Sequence, residues 1–184
     1  MSNEYPYASM RDSFDLSAYF VVGPEDCKGR PLTDVVDQAL HGGATFIQLR
    51  AKEADASELT DMGRDQIQHI EMARDIAQII EDNEKSDSVA FVIDDRADVV
   101  WQARRKGIKV DGVHIGQTDM EPREARALLG DEAIVGLSAE TESLVRLINE
   151  LPDGCIDYIG AGPLHVSTTK PEDSVGGDGS TGET

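Results

Sequence analysis

Residues Val89–Ser138 read VAFVIDDRADVVWQARRKGIKVDGVHIGQTDMEPREARALLGDEAIVGLS, and the spacing within this stretch decides the fold. Three short apolar runs stand in it, Val89–Ile93, Asp111–Ile115 and Ala133–Leu137, and a fourth follows at Ile156–Ile159. Their starts are 22, 22 and 23 residues apart. Such an interval holds one short strand, one helix of about ten residues and two tight connections. The runs show little alternation of polarity, as strands of a parallel sheet do when helices cover them. Between them, Pro122 opens the helical segment Pro122–Leu129 and Gly130 closes it, while Arg96–Lys106 and Thr141–Leu151 fill the neighbouring intervals.

The same pattern extends towards the amino terminus. Ala18–Val22 and Ala44–Leu49 read as two earlier strands, with Pro31–His41 between them closed by Gly42-Gly43. A long helix is expected from Ala56 to about Asp82, where Ile67, Ile70, Ala73, Ala77 and Ile80 advance in steps of three and four and form one buried stripe. Repeated β-α order implies right-handed crossovers and a parallel sheet. A doubly wound dinucleotide-binding sheet would carry G-x-G-x-x-G after its first strand, whereas this one ends Val22-Gly23-Pro24-Glu25. The regular spacing therefore favours an α/β fold of the (β/α)8 TIM-barrel type. A closed barrel has eight strands in roughly 250 residues; six are visible here, so the barrel is expected to be cut short after the sixth strand. The chain then divides into an amino-terminal extension (1–17), a barrel domain lacking the last two β-α units (18–171), and a Gly-, Ser- and acid-rich loop or tail (172–184).

The 184 residues include 36 Asp and Glu against 17 Lys and Arg, a formal net charge of −19, and 39% of them are hydrophobic. A surface this acidic argues against nucleic-acid binding, which needs cations for phosphate. No apolar run approaches the roughly 20 residues of a membrane span. Met1–Phe14 lacks a basic-then-apolar secretion signal, and Cys27 and Cys155 stand far apart, so reduced thiols and a cytoplasmic location are expected. An acidic molecule handling phosphorylated substrates must gather cations locally, as Lys, Arg or a metal.

In a barrel the working residues stand at the carboxyl ends of strands. After the second strand, Gln48, Arg50 and Lys52 alternate with Ile47 and Leu49, which places the polar trio inside the mouth, suited to a diphosphate. The third strand ends Ile93-Asp94-Asp95-Arg96 and the fourth continues to Asp119, so Asp95 and Asp119 can hold Mg²⁺ on adjacent loops; as ordinary helix caps they would need no metal. Ser138 closes the fifth strand, and Ser167, Thr169 and Lys170 follow the sixth, where hydroxyls and an ammonium can meet phosphate. His41, His69, His114 and His165 share no spacing and read as structural or solvated; Trp101 reads as packing. No nucleophile motif or P-loop occurs, so no catalytic nucleophile is expected.

Taken in order, Gln48-Leu49-Arg50-Ala51-Lys52, Ile93-Asp94-Asp95-Arg96, Asp111–Asp119, Gly136–Thr141 and Tyr158–Pro163 closely resemble the thiamine phosphate synthase family, over about Ala18–Pro171. The resemblance implies a (β/α)8 transferase that joins 4-amino-2-methyl-5-hydroxymethylpyrimidine diphosphate to hydroxyethylthiazole phosphate, giving thiamine phosphate and diphosphate. It further implies that Gln48, Arg50, Lys52, Ser138 and Lys170, with Asp94 beside them, hold the pyrimidine diphosphate, that Asp95 and Asp119 carry Mg²⁺, and that Ser167 and Thr169 meet the thiazole phosphate. This chain departs from the family pattern at Asp94, where Asn is usual, at Glu140, where His is common, and at Val166-Ser167, in place of Pro-Thr. Two other readings stay open: a thiazole tautomerase-like relative needing no metal, and a non-catalytic phosphate-ligand-binding fragment. Unpaired sheet edges leave room for a homo-oligomer, and the resemblance leaves open a fused kinase domain in a longer chain.

Overall fold

The computed structural model describes residues 5–51, 59–116, 120–139, 146 and 148–161. Six strands form one parallel sheet in sequence order: β1 (Tyr19–Val22), β2 (Phe46–Leu49), β3 (Ala90–Asp94), β4 (Gly112–Ile115), β5 (Ile134–Ala139) and β6 (Tyr158–Ala161). Four helices are described, α1 (Leu32–His41), α2 (Leu59–Asp82), α3 (Ala97–Arg105) and α4 (Pro122–Leu129), and a 3-10 turn at Pro24–Cys27 follows β1. All six expected strands are present within two residues of their expected limits, as are the helices that Pro31 and Pro122 open; most of Thr141–Leu151 lies outside the described residues. Laid flat, six strands would hold the sheet's edges about 24 Å apart. Instead the Tyr19 hydroxyl on β1 meets the Tyr158 hydroxyl on β6 at 2.8 Å. The sheet is therefore curled, as in a TIM barrel.

Curling divides the apolar residues into two layers. Ile47, Leu49, Phe91, Ile93, Val113, Ile115 and Val135 face outward and pack on the helices through Val36, Leu40, Ile76, Ile80, Val99 and Val100. Phe46, Ala90, Val92, Ile134 and Tyr158 face inward with Met10. Both faces of β2, β3 and β4 are buried, which explains strands with no polarity alternation. One expectation fails on α2. Ile67 is 58% exposed, and the buried stripe runs through Ile70, Ala73, Ile76, Ala77 and Ile80. One turn earlier the buried side of the helix carries Asp65 and His69 instead. A polar contact with the start of α3 replaces apolar packing there: Arg96 pairs with Asp65 and holds Asp98 through Nε and Nη2, both at 2.9 Å.

Tyr5–Phe14, within the expected extension, packs across the amino-terminal end of the sheet. Phe14 sits edge-on to Phe46, and Arg11 donates to Asp157 (2.7 Å) and to the carbonyls of Asp131 and Gly154. Tyr5 donates its hydroxyl to the Val110 carbonyl at 3.0 Å. That end is filled with side chains, which leaves the carboxyl ends of the strands for a ligand. No helix among the described residues is long and apolar enough to cross a membrane.

Candidate active site

Strand register stacks the inward-facing residues in layers. Asp94 pairs with His114, His114 with Gly136, and Gly136 with Tyr158, so four strands contribute to one layer. Gly136 is the vacancy in that layer. A Cβ there would stand 2.2 Å from the Tyr158 ring, so only glycine lets the ring lie across β5 and reach His114. Gly160 is less constrained, since its Cβ would approach His114 Cε1 only to 3.2 Å.

These positions are joined by one run of hydrogen bonds that crosses all six strands. Arg50 Nε lies 3.3 Å from Asp94 Oδ2, and Gln48 Nε2 donates to Asp94 Oδ1 at 2.6 Å. The Tyr19 hydroxyl donates to Gln48 Oε1 at 2.5 Å and touches the Tyr158 hydroxyl at 2.8 Å. Tyr158 Oη lies 2.9 Å from His114 Nδ1, and His114 Nε2 lies 3.0 Å from Ser138 Oγ. Burial pushes the Tyr19 phenol up to about 12. Burial, and then the neighbouring Tyr19, push Tyr158 further up. Both phenols therefore keep their protons throughout the physiological range.

Expected residues thus gather as the sequence implied: Gln48, Arg50, Asp94 and Ser138 share the interior at the carboxyl end of the sheet. Asp94 has two described partners inside the site, the Arg50 guanidinium and the Gln48 amide. His114, which reads from the sequence as structural or solvated, is buried, and its ring joins Tyr158 to Ser138 inside the site. Sequence reading also missed Tyr19 and Tyr158. The signal available for them was parity: Tyr158 stands two residues before the inward Gly160, and Tyr19 two before Val21, which pairs with Gln48.

Asp95 follows with its backbone in the left-handed region, at φ 57. Its N–H donates to the His114 carbonyl at 2.7 Å, and its Oδ1 accepts from Gly116 N–H at 2.8 Å. These bonds tie the loop after β3 to the loop after β4. Asp95 is not the cap of α3, whose preceding residue is Arg96. A positive φ on an L-residue costs about 1 kcal/mol, and the two bonds to β4 and its loop hold it in place. The second carboxylate oxygen of Asp95 has no partner among the described residues, so an oxygen donor of the kind Mg²⁺ prefers stands at the strand end. Asp119, the other expected ligand, lies outside the described residues, as do Lys52, Ser167, Thr169 and Lys170. No group of three metal-binding side chains occurs among the described residues.

Known proteins resemble this chain in sequence. The family described as thiamine monophosphate synthase matches residues 18–180. Proteins named thiamine-phosphate synthase from Corynebacterium efficiens and Corynebacterium jeikeium are 36% and 38% identical over 161 residues, 88% of this chain and 66% of each relative. A namesake from Persephonella marina is 32% identical over 164 residues, 89% of this chain and 68% of its own length. The chain thus spans about two thirds of the length of these curated relatives. Because the matched span takes in all six strands and every site residue described above, the chain belongs to the thiamine monophosphate synthase family.

Proposed function

We propose that this site binds an aminopyrimidine diphosphate and transfers its methylene carbon to the ring nitrogen of a thiazole phosphate, forming thiamine phosphate and releasing diphosphate. The observation that carries this reading is the convergence of Gln48, Arg50, Asp94, His114 and Ser138 inside one end of the sheet. Family membership supplies the reaction class. The carbon–oxygen bond to diphosphate breaks with its electron pair leaving on oxygen, and the thiazole nitrogen supplies the pair for the new carbon–nitrogen bond. Charge therefore develops on the departing diphosphate, and cations placed there act in the transition state more than in the ground state. Arg50, oriented by Asp94, is one such cation; Lys52 and Lys170 are proposed as the others, with Ser167 and Thr169 on the thiazole phosphate. The buried Tyr158 and His114, with Tyr19 beside them, are the polar groups proposed to face the pyrimidine. Asp95 and Asp119 are the residues proposed to hold Mg²⁺, which when bound adds positive charge against the leaving diphosphate.

The test is diphosphate release from the pyrimidine substrate, with and without thiazole phosphate and Mg²⁺. Product requiring both additions supports the transferase. Turnover of a thiazole alone would indicate a tautomerase, and ligand binding without turnover a non-catalytic barrel. Within the same assay Asp95→Asn is expected to lower Mg²⁺-dependent turnover by at least about 100-fold, since it removes one anionic donor from the centre that stabilises developing charge. An unchanged rate would remove Asp95 from the metal site.

A further inference from the structure

Asp95, at φ 57, stands between the last residue of β3, Asp94, and Arg96, whose backbone at ψ 66 is not yet helical. Three consecutive residues thus take three different backbone conformations, and such a turn needs fastening on both sides. On the strand side it is tied to β4 and the loop after it by the bonds from Asp95 to His114 and Gly116. On the helix side the fastening is the Arg96 side chain. Its Nε donates to Asp98 Oδ1 and its Nη2 to Asp98 Oδ2, both at 2.9 Å, while Nη1 reaches Asp65 of α2. Gln66, the next residue of α2, donates to the same Asp98 Oδ2 at 2.8 Å. The Arg96 and Asp65 side chains are 13% and 8% exposed, so water competes little for either.

A planar guanidinium presents its donors in a fixed fork, and charge-assisted bonds to carboxylates on two different helices leave it one position. Apolar packing has no such direction. A half-sunken ion pair adds little stability over apolar side chains of the same volume, so what it supplies here is geometry. We propose that Arg96 is a positioning residue for Asp95: clamped by Asp65 of α2 and Asp98 of α3, it holds the turn in the left-handed conformation that directs the Asp95 carboxylate to Gly116. Release of the clamp lets Asp95 relax to a negative φ, because the left-handed form is uphill for an L-residue, and that rotation carries the carboxylate away from Gly116. The start of α2 thereby contributes to the site at one remove.

Amide hydrogen exchange of the full chain reads the clamp without ligand or metal. The Asp95 and Gly116 amides are the probes; those of Phe91 and Ile134, both bonded to Asp111 at the other end of the sheet, are the references. In Arg96→Lys, which keeps the charge but loses the fork, the probes are expected to exchange at least about tenfold faster relative to the references. Asp98→Ala, on the more exposed arm, and Asp65→Asn, which keeps an oxygen but not the charge, are expected to move the same ratio in the same direction. A ratio unchanged in Arg96→Lys and Asp98→Ala would overturn the proposal, since the turn would then hold itself. Probes and references that speed up together would overturn it as well, because Arg96 would then supply only general stability. A response to those two variants but not to Asp65→Asn would remove α2 from the clamp.

The consequence for the metal rests on the function proposed above. With Asp95 as a Mg²⁺ ligand, the same variants are expected to raise the Mg²⁺ concentration for half-maximal turnover by about tenfold, the lower end of what losing an outer partner of a ligand costs, with kcat at saturating Mg²⁺ nearly unchanged. Faster exchange at Asp95 beside an unaltered Mg²⁺ requirement would count against Asp95 as a ligand and leave the clamp standing. A native chain that shows the expected exchange but no turnover would count against the proposed function instead.

Discussion

Gly136→Ala is expected to destabilise the protein by about 3 kcal/mol or more, the upper end of what inserting a methyl group into a packed interior costs. The added Cβ would stand 2.2 Å from Tyr158 Cζ and 2.5 Å from both Cε1 and the hydroxyl oxygen. No rotation of the methyl avoids them, and Tyr158 is itself 7% exposed and packed against Phe14, Tyr19 and Phe46. Either the ring leaves its seat or β5 and β6 separate. For a chain of this size the loss corresponds to a fall in melting temperature of about 6–12 °C. Moving the ring also removes the Nδ1 partner of His114 and the contact with Tyr19, so ligand affinity should fall together with stability. Gly160→Ala serves as the control, because its Cβ would meet only the edge of His114 at 3.2 Å, an overlap that a shift of a few tenths of an ångström relieves. Thermal unfolding of the two variants, and of Gly136→Ala combined with Tyr158→Leu, tests the cause. If the double variant stays as unstable as Gly136→Ala alone, the clash with Tyr158 is not the reason.

The contrast between these glycines marks how far the sequence could be read. Parallel strands and their order were legible because burial on both faces leaves an unbroken apolar run, as in Ala90–Ile93, and because helix punctuation at Pro31, Pro122 and Gly130 is local. Gln48, Arg50 and Asp94 were legible because polar residues at the carboxyl end of a strand stand out from apolar neighbours. Tyr19, His114 and Tyr158 were not, because their partners are contributed by other strands. The contact between Tyr19 and Tyr158 spans 139 residues and exists only once the sheet curls. Ile67 failed for a related reason. Helical periodicity gives the spacing of a stripe but not where it starts, and here the polar Asp65 and His69 take the buried side because Arg96 reaches across to pair with Asp65. Long-range pairing of charges is invisible to a window of residues.

At the other end of the sheet, Lys109→Met is expected to cost about 3–5 kcal/mol at neutral pH, although it replaces a buried cation by an apolar side chain of similar length. Lys109 is fully buried and its Nζ lies 2.7 Å from Asp111 Oδ2, which also accepts from the Phe91 N–H at 2.7 Å; Asp111 is 2% exposed. Removing the ammonium leaves the carboxylate in a low-dielectric site with the Phe91 amide and only the weaker influence of the Arg104 guanidinium, and that largely uncompensated charge outweighs the gain from an apolar replacement. Lys109→Met combined with Asp111→Asn removes both charges while keeping an acceptor for Phe91, and is expected to recover most of the loss. The dependence on pH separates this account from simple mispacking. Burial pushes the Asp111 carboxyl up from its ordinary value, and Lys109 is the largest influence opposing that rise. Without Lys109 the folded-state value rises further above the unfolded one, so the folded chain takes up the proton more readily than the unfolded chain. Acidification therefore favours folding of the single variant. Its deficit relative to the native protein should be fully expressed above the raised folded-state value and shrink as pH falls through it, towards the unfolded carboxylate value near 4. Urea unfolding at about pH 7.5 and about pH 5.5 measures this, as the change in midpoint at constant slope. A deficit independent of pH, or one that persists undiminished in the double variant, would mean that lost packing against Met10 and Tyr7, and not a stranded charge, is what Lys109 prevents.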